Sequence, residues 1–556
     1  MKKFLLLAAL LASLVLPVFA DDVPVASVPA KTGRKRYVIS ELGAAGDGAT
    51  DNTKAIQSVI DQCAAAGGGV IVVPAGTFLS GALFFKQGVD LLVEKDGVLK
   101  STTDVAEFPA IYTRWEGIER YWTCAFLNFV GMHDVEVSGE GTIDGSGVAW
   151  MGAGGARGRG GPGFGAGGNA SGLSNEELAT INKAFRNLLA DDPAAKAILD
   201  KYASNNWITG SSGVPGGRGV ANPSGPAPDP AQFYVQPYPT TATINLAASR
   251  TNLPPVNAAG VRVPGSGLAP PRALVFQNCA NVRVSGLHLL NEARWGFVFI
   301  YCQNVVAEKL AAFTETRIPS SDGMDIDSCK RVLVSQCGFD DGDDDISIKS
   351  GKDEDGRRVG IPCEDVIIQS CRFGRGDGGA AMGSETSGII RNIIVRDCVA
   401  DARNAAPVRI KTNFTRGGII ENITYENIKF DDVQRCYEIN LEWSATSSSG
   451  PRMPPVLRNV KIINCSGLAD SAGVIHGLPD SLISNLTFEN CHVTTYTGLT
   501  IDNVTDDVKA AVQGDGLKID AENGRPIVWR TATGALSGAE LTGAAPEPAP
   551  ADTAAQ

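Results

Sequence analysis

Residues 319–351 read PSSDGMDIDSCKRVLVSQCGFDDGDDDISIKSG. They hold eight aspartates, three of them consecutive at Asp343, Asp344 and Asp345. Two segments share one shape, Asp322-Gly-Met-Asp-Ile-Asp and Asp344-Asp-Ile-Ser-Ile-Lys. In each, apolar residues (Met324 and Ile326; Ile346 and Ile348) alternate with polar ones, the pattern of a half-buried strand. Stacked in register, the two strands bring Asp322 and Asp344 to neighbouring positions about 4.8 Å apart. Carboxylates crowded in this way repel unless protons or cations offset them, a cost met mainly at working sites.

Working outward, the segment between these strands belongs to a repeat. A branched apolar residue opens each unit: Val282, Val305, Val332, Val366, Ile393, Ile423, Val460 and Leu486. Asn precedes six of them, at 281, 304, 392, 422, 459 and 485. Five residues after each opener stand Leu287, Leu310, Cys337, Cys371, Cys398, Ile428, Cys465 and Cys491. Three residues before stand Cys279, Cys302, Cys329, Cys363, Ile390, Ile420, Leu457 and Ile483. Nine of the twelve cysteines therefore fall in two columns where Leu and Ile also occur. Export would invite a disulfide reading. This spacing points instead to an inward stack of small apolar side chains, and against zinc. Units of this period, with several short strands and no helices between them, describe a right-handed parallel β-helix.

The rest of the chain is read around that repeat. Residues 1–20, with Lys2 and Lys3, an apolar run over 4–16 and Ala20, form an expected signal peptide. Nothing later is long and apolar enough for a transmembrane helix. An exported, soluble, monomeric protein is expected, periplasmic or extracellular. Residues 21–36 read as a linker. Asp51 and Asn52 can cap a helix from Thr53 to Ala65, ended by Gly67–Gly69 and placed to cover the N-terminal end of the coil. The β-helix domain is assigned to 37–150 and 272–533. Residues 151–271, rich in Gly and Pro, read as an insertion with a helical segment over 174–204, where Ser174 and Glu177 make a capping box. Residues 534–556 read as a disordered tail. The net charge of −12 excludes nucleic acid as the main partner.

One coil beyond Ile346-Ser-Ile348, Ala380-Ala-Met382 and then Val408-Arg-Ile410-Lys repeat the inward pair. Aligned, Ser347 falls beside Ala381 and Arg409, Lys349 beside Gly383 and Lys411, and Asp377 one coil from Asp343. One solvent-facing groove would then hold Asp322, Asp343, Asp344 and Asp377 with Arg409 and Lys411 beside them. Crowded acids push their pKa values apart, giving one protonated and one ionised carboxyl, which glycoside hydrolysis needs. Arg and Lys nearby suit a sugar that carries a carboxylate. An Asp-rich turn taken alone also fits a solvated or calcium-binding loop, and Lys349 fits a solvated partner of Asp325 or Asp327. No His lies near the acids to make a nucleophilic triad.

The chain resembles the family 28 glycoside hydrolases, the polygalacturonase family. That family's Asn-Thr-Asp-Gly, Gly-Asp-Asp, Gly-His-Gly and Arg-Ile-Lys correspond here to Ser320-Ser-Asp322-Gly, Gly342-Asp343-Asp344, Gly376-Asp377-Gly378 and Arg409-Ile-Lys411. GAAGDGATDNTKAI, GGGVIVVPAGTFLSG and Thr113-Arg-Trp-Glu-Gly resemble bacterial, exo-acting members. The resemblance implies an inverting hydrolase of pectic, galacturonan-type polysaccharide that needs no cofactor or metal. Asp343 would be the general acid, Asp322 and Asp344 would hold and deprotonate the water, and Arg409 and Lys411 would bind the substrate carboxylate, with Asp377 also at the substrate. Inversion implies about 6.5–9.5 Å between acid and base. Asp377 stands where the family has His, and Ser320 where it has Asn. Trp443 is the candidate stacking aromatic. Pectate-lyase-type elimination and non-catalytic polysaccharide binding are the alternatives.

Overall fold

The computed structural model describes residues 23–154, 270–314, 318–402, 404–443 and 451–530. The expected signal peptide, the helical segment over 174–204 and the tail lie outside these residues. The described chain is a right-handed parallel β-helix, as the repeat predicts. Strands joined in parallel ladders form one continuous sheet that winds through successive coils. The register is the one the openers imply. Val282, Val305, Val332, Val366, Ile393, Ile423, Val460 and Leu486 pair consecutively in an unbroken ladder.

All twelve cysteines are free and buried, so the ladder reading of the two columns holds and disulfides play no part. Phenylalanines add a second stack inside the coil. Phe85, Phe129, Phe276 and Phe299 lie ring over ring, with centroids 4.3, 4.7 and 5.1 Å apart. Such offset stacks add to the area they bury.

The asparagines before the openers have a backbone reason that alternation does not reveal. Asn281, Asn304, Asn392, Asn422, Asn459 and Asn485 all take positive φ, between 49° and 58°. Asn tolerates this left-handed corner better than most residues. Its side-chain amide then donates to the Asn of the preceding coil: Asn304 to Asn281 at 2.8 Å, Asn459 to Asn422 at 3.0 Å, Asn485 to Asn459 at 2.8 Å. Each corner thus satisfies its own polar side chains while turning the chain from one sheet to the next.

The helix Thr53–Ala65 forms where its caps predict and buries Ile56, Val59, Ile60 and Cys63 in the N-terminal end of the core. Asn52 turns its side chain to Ala45, and Asp51 accepts from Thr53 N at 2.9 Å instead. The segment from residue 23, expected to be a linker, packs on the outer wall. Val23 covers Ile367 and Ile394, and Ala26 and Val28 cover Val306. A hairpin not expected from the sequence, Ala110–Trp115 with Ile118–Thr123, forms a separate antiparallel pair. Among the described residues no helix is long and apolar enough to cross a membrane.

Candidate active site

Four successive strands carry the site: Met324–Asp327, Asp344–Lys349, Gly378–Met382 and Val408–Lys411. Their register is Met324↔Ile346↔Ala380↔Val408, with Ser347↔Ala381↔Arg409 one residue on. The inward residues are core, so the alternating residues face out together. Asp322 and Asp344 therefore sit on adjacent coils, and Gly323 N donates to the Asp344 carbonyl at 3.1 Å. Asp377 N donates to the Asp343 carbonyl at 2.8 Å, which places those two acids one coil apart. One oxygen from each of Asp322, Asp343 and Asp344 lies within 4.8 Å of the others. All six residues expected at the site are brought together.

One expectation is corrected. The groove is not freely solvent-facing: Asp344 is 0 % exposed, Asp322 2 %, Lys411 4 % and Arg409 5 %. Asp343 and Asp377 are half-buried and form the outer edge. Nor do the acids lie strung out along the groove: neighbouring coils are only about 4.8 Å apart, and cations draw the side chains together.

Those cations are specific. Arg409 Nη1 donates to Asp344 Oδ1 at 2.9 Å, and its Nε pairs with Glu438 on the next coil at 2.8 Å. Lys411 Nζ reaches Asp344 Oδ2 at 2.6 Å, and Ser347 donates to the same oxygen at 2.8 Å. Arg409 reaches Asp344 across the intervening coil because residue 378 is glycine. A Cβ there would stand 2.8 Å from both Arg409 Cδ and Asp344 Oδ1. Lys349 is buried, not a solvated partner of one acid. Its Nζ lies 3.4 Å from Asp322, 3.3 Å from Asp325 and 3.3 Å from Glu385. It also sits 4.6 Å over the Trp295 ring, which stacks on Trp115 at 5.4 Å. Lys411 lies 4.9 Å over Trp443.

The electrostatics separate the acids. Burial raises the Asp344 carboxyl, but Lys411, Arg409 and Lys349 outweigh it and hold the group at about 2. Burial raises Asp343, with the Asp344 charge adding to it against Lys411. Burial and the Asp325 charge push Asp322 well up, opposed by Lys349. Asp377 is raised to about 6 by burial and then by Asp343. The three close acids would suit a divalent cation by distance alone. The ammonium and guanidinium already bonded to both oxygens of Asp344 fill that role and would repel a metal.

Glu385, Glu438, Trp115 and Trp295 were not legible as site residues in the sequence. Glu385, Glu438 and Trp295 come from neighbouring coils and carry no local pattern, and Trp115, inside the Thr113-Arg-Trp-Glu-Gly motif, reaches the site through the hairpin. Lys349 could be placed on the outward face by alternation, but its three partners could not.

The glycosyl hydrolases family 28 model matches residues 261–513. A rhamnogalacturonase A/epimerase, pectate lyase-like model matches 37–113. A probable polygalacturonase of Vitis vinifera is 22 % identical over 479 residues, 84 % of this chain and 73 % of that protein. An exo-poly-alpha-D-galacturonosidase of Dickeya chrysanthemi is 23 % identical over 70 % of this chain and 54 % of its own length. Among solved structures, a hyperthermoactive exopolygalacturonase from Thermotoga maritima superposes with a TM-score of 0.61 at 25 % identity, over 87 % of this chain and 93 % of that one. A Yersinia enterocolitica family 28 exopolygalacturonase gives the same TM-score at 20 % identity, over 89 % and 77 %, and supports the fold. Fold, site, family model and relatives together make this chain similar to the glycosyl hydrolases family 28 and support a glycosidase.

Proposed function

We propose that the chain hydrolyses the glycosidic bonds of pectic galacturonan with inversion at the anomeric carbon. The observation that carries this reading is the convergence of Asp322, Asp343 and Asp344 beside Arg409 and Lys411. Hydrolysis needs a proton donor and an ionised base in one site. Asp343, raised and half-buried at the outer edge, is the donor to the leaving oxygen. Asp344, held ionised, takes the proton from water that Asp322 helps to hold. A water making two hydrogen bonds of about 2.8 Å at a near-tetrahedral angle spans about 4.6 Å. The 4.8 Å limit on the acid oxygens accommodates it.

That separation alone would also fit a direct nucleophile. Asp344 is bound by three donors and is poorly free to attack carbon. This favours the water. A galacturonate carboxylate arriving at Arg409 and Lys411 would share their charge, weaken their hold on Asp344 and make it a better base. Trp443 beside Lys411 would contact the sugar face. We further infer that the chain is exported with residues 1–20 removed and works as a monomer.

The test is direct. Proton NMR of trigalacturonate digestion should show the product anomer inverted first, mutarotating later, with no unsaturated product absorbing in the ultraviolet. D343N should lower kcat by at least about 100-fold. A retained anomer would overturn the inverting assignment, and an ultraviolet-absorbing product would overturn hydrolysis.

A further inference from the structure

Arg294 stands on the coil that precedes Asp322. The strand Phe297–Ile300 pairs in register with Met324–Asp327, and Gly296 N donates to the Asp322 carbonyl at 2.8 Å. Next to it, Trp295 is buried between Trp115 and Lys349, so the turn is displayed from a fixed base. The Arg294 side chain is half-buried, its Nη1 lies 3.3 Å from the Pro319 carbonyl in the turn that leads to Asp322, and the carboxylates whose charges act on it are Glu116, Asp322 and Asp343. Its coil stands on the side of the acids opposite the coil of Arg409 and Lys411.

The cations bonded to the acids are matched, while the buried Arg272 is spent on the Arg114 carbonyl and the Thr113 hydroxyl. Arg409 holds Asp344 and Glu438, Lys411 holds Asp344, and Lys349 is shared by Asp322, Asp325 and Glu385. Arg114 is paired with Asp327, and Arg375 with Asp340. Arg294 differs. Among the described residues its guanidinium is bonded to a backbone carbonyl, that of Pro319 at 3.3 Å, and to no carboxylate. A partly desolvated guanidinium with one neutral acceptor retains four N–H donors and a strong preference for an anion. The fork geometry suits a carboxylate.

We propose that Arg294 is a second carboxylate anchor, so that the sugars on both sides of the cleaved bond must be uronic acids. The identity of the sugar rests on the hydrolytic reading above. The new element is that a cation flanks the acids on each side along the coil axis. A backbone alternating acidic and neutral sugars cannot fill both anchors across one bond, whereas a run of galacturonates can. Esterifying either carboxylate removes a partner.

The test compares wild type, R294Q and R294K on trigalacturonate and on its fully methyl-esterified form. R294Q should raise KM on trigalacturonate about 10- to 100-fold and change kcat by less than about 3-fold, with R294K intermediate. On the ester, wild type and R294Q should be alike. A KM within about 2-fold of wild type, or a loss in kcat with KM unchanged, would overturn the anchor. Calorimetric binding of trigalacturonate to D343N and to D343N/R294Q separates the two readings. If the wild type releases no reducing ends, the hydrolytic reading fails. The anchor then stands only if D343N binds at least about 10-fold more tightly than the double variant. Equal affinities overturn it.

Discussion

Replacing Asp377 by Asn should move the alkaline limit of activity to lower pH. Asp377 lies one coil from Asp343, with its N–H on the Asp343 carbonyl at 2.8 Å. Its own carboxyl ionises at about 6, raised by burial and then by Asp343. Above that pH its charge favours the protonated form of Asp343, the form a general acid must keep. At about 5 Å, two unit charges interact by about 3.3 kcal/mol at an effective dielectric of 20 and about 0.8 kcal/mol in bulk water. Both groups are half-buried, so screening brings the value to about 1.4 kcal/mol, or one pKa unit. The sign follows: removing the charge lets Asp343 lose its proton earlier. In D377N the alkaline limb should fall about one unit lower, while the acid limb, set by Asp344 at about 2, stays in place. The assay is reducing-end release from polygalacturonate between pH 3 and 9, with kcat and kcat/KM fitted separately. An unmoved alkaline limb, or one that moves up, would refute the coupling of Asp377 to the acid.

Other perturbations follow from the same contacts. K349M leaves Asp322, Asp325 and Glu385 buried without their shared cation and should destabilise the fold by about 3–5 kcal/mol at pH 7.5 in urea unfolding. The deficit should shrink at pH 5, because burial lifts the Asp325 carboxyl to about 7 and protonation relieves it. R409K cannot hold Asp344 and Glu438 together, and kcat/KM should fall about 10- to 100-fold with little change in melting temperature. N422A removes one member of the corner ladder, at φ 57°, with bonds to Asn392 and from Asn459. It should cost about 1–3 kcal/mol, and N422G less. Reductant should leave the melting temperature unchanged, since all twelve cysteines are free. A disulfide-dependent fold would lose about 2–5 kcal/mol.

The sequence by itself determined the coil, its register and the grouping of the acids. Val332 or Ile346 must face inward because neighbours at period two on every coil do the same, and a slip of one residue would expose the whole column. Those registers put Arg409 and Lys411 on one outward face and bring Asp322, Asp343, Asp344 and Asp377 to neighbouring coils, where the corners at the strand starts, not alternation, turn the acids to the same wall. Only the tertiary structure decided what the outward side chains meet. Whether Arg409 reaches Asp344 depends on the bare backbone of Gly378 on the coil between them. Whether Lys349 is solvated depends on Glu385 and on Trp295, stacked beneath the hairpin of Trp115. Inward packing repeats along the chain and so can be read locally. Outward contacts join side chains far apart in sequence, over distances set by loops that carry no period.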